Sequence, residues 1–333
     1  MDIIVKRSIP KVSKVYNTYW KFAAERQNIF FNRINNEPIW TEDKILNEHK
    51  FTNAYRASDR VSQFLIREVI YNHSQQPKEV LFRILLFKTF NKIETWQILL
   101  NRLGRISYET YDFREYDKIL TEIISSKRAI YSGAYIMTSG KSTFGYSKKH
   151  RNHLKLIEFM MQDNLEAKIS DVQSMRSLFL TLKSYPTIGD FLAYQYATDI
   201  NYSEICHFDE MDFVYPGPGA LDGIRKCFID YGDFDESELI RYVTERQEEE
   251  FSRLEIEFKD LWGRNLQLID CQNLFCEVDK YSRVAHPDIK GLSGRTRIKQ
   301  KFKPKNSQIE FWYPPKWGIN EKIAANSQLL QTQ

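Results

Sequence analysis

The sequence predicts an all-α protein of two lobes with a basic C-terminal tail. Three observations lead there. Chain breakers are scarce, 13 glycines and 10 prolines in 333 residues, about 7% against roughly 12% in average proteins. Apolar residues recur at three- and four-residue spacing along most of the chain, the period of an amphipathic helix. The first lobe contains no convincing run of the alternation that marks strands.

The elements follow in order. Val61, Phe64, Leu65 and Val69 form one apolar face, which Ser58 or Asp59 would cap. Leu81, Phe82, Leu85, Leu86 and Phe90 form the next, and Gln76-Pro77 breaks the chain between the two. A third helix is expected from about Tyr116 to Tyr135. Thr138 to Gly145 is rich in Gly, Ser and Lys and reads as a loop. Its Ser139-Gly-Lys-Ser142 resembles part of a phosphate loop. That motif needs a Gly where Tyr135 stands and a strand in front, and both are missing, so a surface loop is expected. The longest helix is expected from Glu236 to Leu261, with Ile240, Val243, Phe251, Leu254, Phe258 and Leu261 as a core stripe. These elements assign residues 1–285 to a helical body, with lobes of about 1–135 and 136–285, and residues 286–333 to an irregular extension.

Composition narrows the function classes. Hydrophobic residues are 42% and charged residues 28%, which excludes a disordered chain. No apolar run reaches about 18 residues, so no membrane span is expected. The opening MDIIVKRSIPK lacks a signal-peptide layout, and a cytoplasmic protein is expected. A net charge of +4 permits a nucleic-acid partner without demanding one. The cysteines Cys206, Cys227, Cys271 and Cys276 have no metal-ligand spacing. Buried reduced thiols, no metal and no cofactor are therefore expected. In the tail, Arg295, Arg297, Lys299, Lys301, Lys303 and Lys305 occur with no acid among them. Extended chain would put these alternating cations on one side, as a strip contacting phosphates or as a solvated tail.

Tyr185-Pro-Thr-Ile-Gly189 separates two helical patterns, one with Met175, Leu178, Phe179 and Leu182, the other with Phe191, Leu192 and Ala193. Helix, tight turn and helix would expose backbone N–H groups at a helix start, where a phosphate binds without sequence being read. Ile188, Gly189 and Asp190 are the contacts expected there. The segment resembles the hairpin of the helix-hairpin-helix DNA glycosylases, with Thr187 in place of the first Gly. In that superfamily an aspartate follows the hairpin Pro by about two dozen residues. The resemblance implies Asp209 as the catalytic carboxylate, with Asp212 as second choice. Such a carboxylate would steady the oxocarbenium-like sugar. Phe191 stands where lyase-type members carry Lys, which implies a monofunctional hydrolase.

A second resemblance covers more of the chain. Phe51-Thr-Asn-Ala-Tyr-Arg-Ala-Ser-Asp-Arg-Val-Ser-Gln63, Phe191-Leu-Ala-Tyr-Gln-Tyr-Ala-Thr-Asp199, Pro216-Gly-Pro-Gly-Ala220 with Gly223, and Phe275-Cys-Glu-Val-Asp-Lys-Tyr281 occur in order. They resemble signatures of the alpha-glutamyl/putrescinyl thymine pyrophosphorylase family, also described as the helical domain of 5-hydroxymethyl-deoxyuridine DNA kinases. The resemblance implies an all-helical enzyme acting on hypermodified bases of phage DNA. It extends to an antiviral branch that excises glucosylated hydroxymethylcytosine. The expected function is hydrolytic excision of such a base from double-stranded phage DNA by a monomer. The alternative is a pyrophosphorylase or transferase that hypermodifies hydroxymethylated pyrimidines.

The base pocket is expected to draw on Asn53, Arg56 and Asp59, three apart and so on neighbouring turns of one helix. Tyr135, Tyr194 and Tyr215 are expected as stacking surfaces for a flipped base, and Asp199 as a contact to it or a tie to Asn201. Gly217 and Gly219 would allow close backbone approach to a ligand or serve as a plain helix-start turn. Glu277, Asp279, Lys280 and Tyr281 would order a pocket wall or form a structural ion cluster.

Overall fold

In the computed structural model, which describes residues 7–135, 137–303 and 310–324, helices carry almost all of the regular structure. In chain order they are α1 (Lys14–Ile34), α2 (Lys44–Glu48), α3 (Arg60–Phe64), α4 (Pro77–Phe90), α5 (Ile93–Leu103), α6 (Phe113–Ser125), α7 (Lys141–Phe144), α8 (Lys149–Gln162), α9 (Leu165–Asp171), α10 (Met175–Lys183), α11 (Asp190–Ile200), α12 (Pro218–Cys227), α13 (Glu236–Glu245), α14 (Gln247–Arg253) and α15 (Leu268–Ala285). The expected all-α class is what the fold shows. The strands β1 (Lys11–Val12) and β2 (Phe228–Asp230) form one antiparallel pair. No helix among the described residues is long and apolar enough to cross a membrane.

Contacts divide the chain into two compact units. One comprises Met1–Asp59, Phe213–Phe311 and Pro315–Gln333; the other comprises Arg60–Asp212 and Trp312–Pro314. The division does not coincide with the lobes drawn at residue 135, because the first unit joins the two ends of the chain. Chain order is local, whereas a compact unit is set by who packs on whom.

In the first unit, α1 starts where the Ser13 hydroxyl accepts the Val15 N–H at 3.0 Å, a side-chain cap on an otherwise unpaired donor. Its buried face includes Val15, Tyr19, Phe22, Ala23 and Phe30. Tyr19 meets Phe275 of α15 at 4.6 Å between ring centroids, and Trp20 meets Phe251 of α14 at 4.9 Å edge to face. Such pairs add about 1 kcal/mol beyond the area they bury. Helices α12 and α15 approach until backbone meets backbone. A Cβ on Gly223 would lie 2.0 Å from the Phe275 carbonyl oxygen, and one on Gly219 would lie 2.2 Å from Cys276 Sγ. Lys226 of α12 and Asp279 of α15 close this interface with a buried 2.8 Å ion pair.

The single helix expected from Glu236 to Leu261 is instead α13 and α14, broken at Arg246, and the chain leaves helix at Leu254. Glu255 then takes a positive φ of 54°, a backbone state that continues no helix. The stripe residues are still largely core, reached by a bent path: Ile240, Val243, Phe251 and Leu261 are all buried. The longest described helix is α1, at 21 residues.

In the second unit, Leu81, Phe82, Leu85 and Leu86 of α4 are buried, as are Leu154, Ile157, Met160 and Met161 of α8 and Ala193, Tyr196, Ala197 and Ile200 of α11. Pro77 occupies the start of α4, where its missing N–H is not needed. The preceding segment Leu65–Tyr71 is a π-helix. Arg83, buried inside α4, holds its end: Nε donates to Val69 O at 2.8 Å and Nη2 to Ser74 O at 2.6 Å. The helix expected from Tyr116 to Tyr135 ends at Ser125. Beyond it Lys127 adopts a φ of 60° and the chain runs irregularly to Tyr135.

Candidate functional site

The segment Thr52–Asp59 is held on several sides within the first unit. The Thr52 N–H donates to Glu277 Oε2 at 3.0 Å, and Arg26 Nε donates to Thr52 O at 2.8 Å. Arg26 Nη2 reaches Asn53 Oδ1 at 3.0 Å, and the Asn53 amide donates to Ser58 O at 2.8 Å. The Asn53 backbone N–H donates to Asp59 Oδ1 at 2.8 Å, closing a ring between the two ends of the segment. The Arg56 N–H is taken by Asp270 at 2.7 Å. Asn53, Arg56 and Asp59 thus come together through a looped segment with a 3-10 turn at Arg56–Ser58, not on one helix face as expected. Arg56 itself is buried and Asp59 half-buried. Burial outweighs the nearby guanidiniums of Arg26 and Arg56 and pushes the Asp59 carboxyl up to about 7, with Glu277 adding to the rise. A polar group kept in so unfavourable a setting is a functional-site candidate.

The basic segment docks onto the chain just before this ring. The Lys50 N–H donates to Gln300 O at 3.0 Å and the Phe302 N–H to Glu48 O at 2.9 Å, an antiparallel bridge of His49 with Lys301. Lys301 pairs with Glu48, and Arg283 donates to Arg297 O at 3.0 Å. Ile298 is buried and pins the segment, while Arg295, Arg297 and Lys299 are exposed. In extended chain alternate residues lie about 7 Å apart. The three cations therefore form a ribbon, and Lys50 precedes Asn53 by three residues, about 10 Å at most. Lys305 lies outside the described residues.

Glu277, Asp279, Lys280 and Tyr281 each hold a partner. Lys280 pairs with Glu277 at 2.7 Å, Asp279 takes Lys226 and Arg283, and the Tyr281 hydroxyl donates to Asp43 Oδ2 at 2.6 Å. Tyr281 and Asp43 also line a cavity of about 930 Å³ with Lys21, Glu25, Trp40 and His286. Of the pocket residues missed in sequence, Arg26 had a signal: a cation four residues from Phe22 and from Phe30 on the buried face of a helix.

In the second unit the hairpin is built as two helices around a turn. Ser174 caps α10 in a reciprocal pair with Ser177. The turn has the Ile188 N–H on Tyr185 O at 3.3 Å, and Gly189 caps α11. Thr187, which stands in for the glycine of the hairpin pattern, carries a φ of 68°, the left-handed state glycine would supply without strain. The exposed helix start already holds charge of its own, because Asp190 is paired with Lys183 at 2.5 Å.

The remaining expected residues have structural partners. Asp199 lies in a buried 2.8 Å ion pair with Lys88. The Lys88 ammonium also sits 3.9 Å from the centroid of Tyr135, which stacks on Phe191 at 5.8 Å. Asp199 therefore faces a cation in the core. The tie to the following loop belongs to Asn201, which bonds both N–H and carbonyl of Phe208 at 3.0 Å. Tyr194 is buried inside α11, and Tyr215 is half-buried. Asp209 is exposed and accepts the Met211 N–H at 2.8 Å; Asp212 is exposed and accepts the Met175 N–H at 3.0 Å, at the start of α10. Gly217 caps α12, and Gly219 faces Cys276. The close approach at Gly219 is to Cys276 of α15. The Ser139-Gly-Lys-Ser142 turn is tied down by buried Asn152, whose amide donates to Ser139 O at 2.9 Å and to Tyr146 O at 2.8 Å.

The family model described as the helical domain of 5-hmdU DNA kinase matches residues 13–291. A 5-hmdU DNA kinase of Bacillus phage SP10 is 27% identical over 301 residues, which cover 84% of this chain and 47% of the relative. The chain thus spans about half the length of that curated relative. No solved structure matches significantly. These matches correct the expectation of a hydrolytic DNA glycosylase and of base excision in antiviral defence. Both matches carry the name of a kinase, an enzyme that transfers a group instead of hydrolysing a glycosidic bond.

Proposed function

The chain belongs to the 5-hmdU DNA kinase helical-domain family, and from that premise we propose that it holds DNA at a 5-hydroxymethyl pyrimidine and presents that base for group transfer onto the hydroxymethyl oxygen. The single observation that carries this reading is the family match from residue 13 to 291. The named relative supplies the substrate class, 5-hydroxymethyl-deoxyuridine in DNA, and phosphate as the group transferred.

The geometry supports a division of labour. Arg295, Arg297 and Lys299 grip phosphates without reading sequence. The hairpin residues Ile188, Gly189 and Asp190 are a secondary backbone contact, weakened by the acid already at the helix start. A base inside a duplex must leave the stack, at a few kcal/mol, to be worked on. The Asn53–Asp59 ring receives it, with half-buried Tyr215 of the same unit as a stacking surface. We assign the phosphoryl donor to a separate nucleotide-binding unit, of the same enzyme or a partner. The Ser139–Ser142 turn has no strand before it among the described residues, and a phosphate loop needs one.

The test uses duplexes that differ at one position, 5-hydroxymethyluracil against thymine. The chain is expected to bind the modified duplex more tightly, and to release no free base by mass spectrometry and no alkali-labile break. Equal affinity for the two duplexes, or free base, overturns the reading.

A further inference from the structure

We propose that Asp59 recognises the modified base, its open carboxylate oxygen accepting the hydroxyl hydrogen of the 5-hydroxymethyl group. This inference rests on the reading that the chain holds 5-hydroxymethyl pyrimidine DNA, and it names the atom that tells that base from thymine.

The two oxygens of Asp59 differ. Oδ1 is taken by the Asn53 N–H at 2.8 Å. No donor among the described residues meets Oδ2. As a staple between the two ends of the Thr52–Asp59 segment, the side chain needs only one acceptor. An asparagine would supply that without bringing a charge. The carboxylate is nevertheless kept where its ionised form is disfavoured by burial. A ligand donor on Oδ2 accounts for both the open oxygen and the retained acid.

The surroundings hold this acceptor still. Arg26 on α1 bonds both Thr52 and Asn53, and the Asn53 amide bonds Ser58. The charged groups around Asp59 are Arg26 and Arg56, which favour its ionised form, and Glu277 of α15, which opposes it. Glu277 is itself occupied by Lys280 and the Thr52 N–H. Near neutral pH the carboxyl is partly ionised, and only the ionised form has both oxygens as acceptors. Thymine carries a methyl group where the substrate carries the hydroxymethyl. It would cover the open oxygen without supplying a donor, and groups left unpaired in this way are what sites use to reject analogues.

The experiment measures affinity by fluorescence anisotropy for three duplexes, with thymine, 5-hydroxymethyluracil or 5-methoxymethyluracil at one position. The wild-type chain is expected to prefer 5-hydroxymethyluracil by about tenfold over both others, since the methoxy group cannot donate. D59N keeps the Asn53 staple, and the ratio of its affinities for 5-hydroxymethyluracil and thymine duplexes is expected to fall to within about twofold. A preference that survives in D59N overturns the role of Asp59 and leaves the proposed function standing. A wild type that binds thymine and 5-hydroxymethyluracil alike overturns both. If D59N fails to fold by thermal melting, the methoxymethyl duplex decides alone: equal binding of the hydroxymethyl and methoxymethyl duplexes by wild type overturns the proposal.

Discussion

Lys88 Nζ lies 2.8 Å from Asp199 Oδ2, and each side chain is only 2% exposed. Two charges this deep are held by each other and, on the lysine side, by the ring of Tyr135 at 3.9 Å. Breaking a buried ion pair by removing one partner costs about 3–5 kcal/mol. K88M and D199N are each expected to lose about that much by urea denaturation. The double variant K88M/D199N is expected to lose less than the sum of the two single losses, because the pair is removed together. Additive losses in the double variant would show that the two residues do not act as a pair.

The α12–α15 contact makes a steric prediction. G223A is expected to destabilise by about 3 kcal/mol, the upper end for overpacking, because the new methyl meets the Phe275 backbone. G219A meets the movable Cys276 side chain instead and is expected to lose less. Adding C276A to G219A is expected to restore most of that loss, read as a melting temperature.

Asp59 makes stability depend on pH. Its carboxyl stands at 3.8 in the unfolded chain and is pushed up to about 7 in the fold. Between those values the folded state binds the proton more tightly, so stability falls as pH rises from about 4 to 7 and then levels. D59N cannot ionise and escapes this fall. Its melting temperature is expected to exceed that of wild type by a clearly larger margin at pH 8 than at pH 5. A constant margin would show that the carboxyl is not displaced.

Arg295, Arg297 and Lys299 are predicted to act as plain phosphate contacts. The triple alanine variant is expected to weaken binding to modified and unmodified duplexes equally. The slope of log affinity against log salt should shrink by about 2 to 3, close to 0.9 for each phosphate that is no longer neutralised. An unchanged slope would make the ribbon a solvated tail.

Much of the candidate site was legible in sequence, but its roles were not. Asn53, Arg56 and Asp59 stood out in one motif and do share a cluster. Arg26 and Glu277, which organise that cluster, lie 27 residues before Asn53 and 225 residues after Thr52, and no local pattern ties them to it. Lys88 had one: with Arg83 it is a cation inside the apolar run of α4, and cations are fully buried almost only when paired. The hairpin spacing singles out Asp209, with Asp212 just beyond it as second choice, and in the fold Asp212 accepts the Met175 N–H. Spacing along the chain does not say which donor a carboxylate will meet.

The amino-acid sequence by itself determined the helical class, the turn around Thr187 and the four ordered motifs, because periodicity, turns and motifs are written in neighbouring residues. Tertiary structure alone decided that residues 1–59 join 213–311 in one unit, that Gly219 and Gly223 serve a helix contact, and that Asp199 is a core ion. Those outcomes depend on partners tens to hundreds of residues away, and a side chain's work is set by what surrounds it after packing.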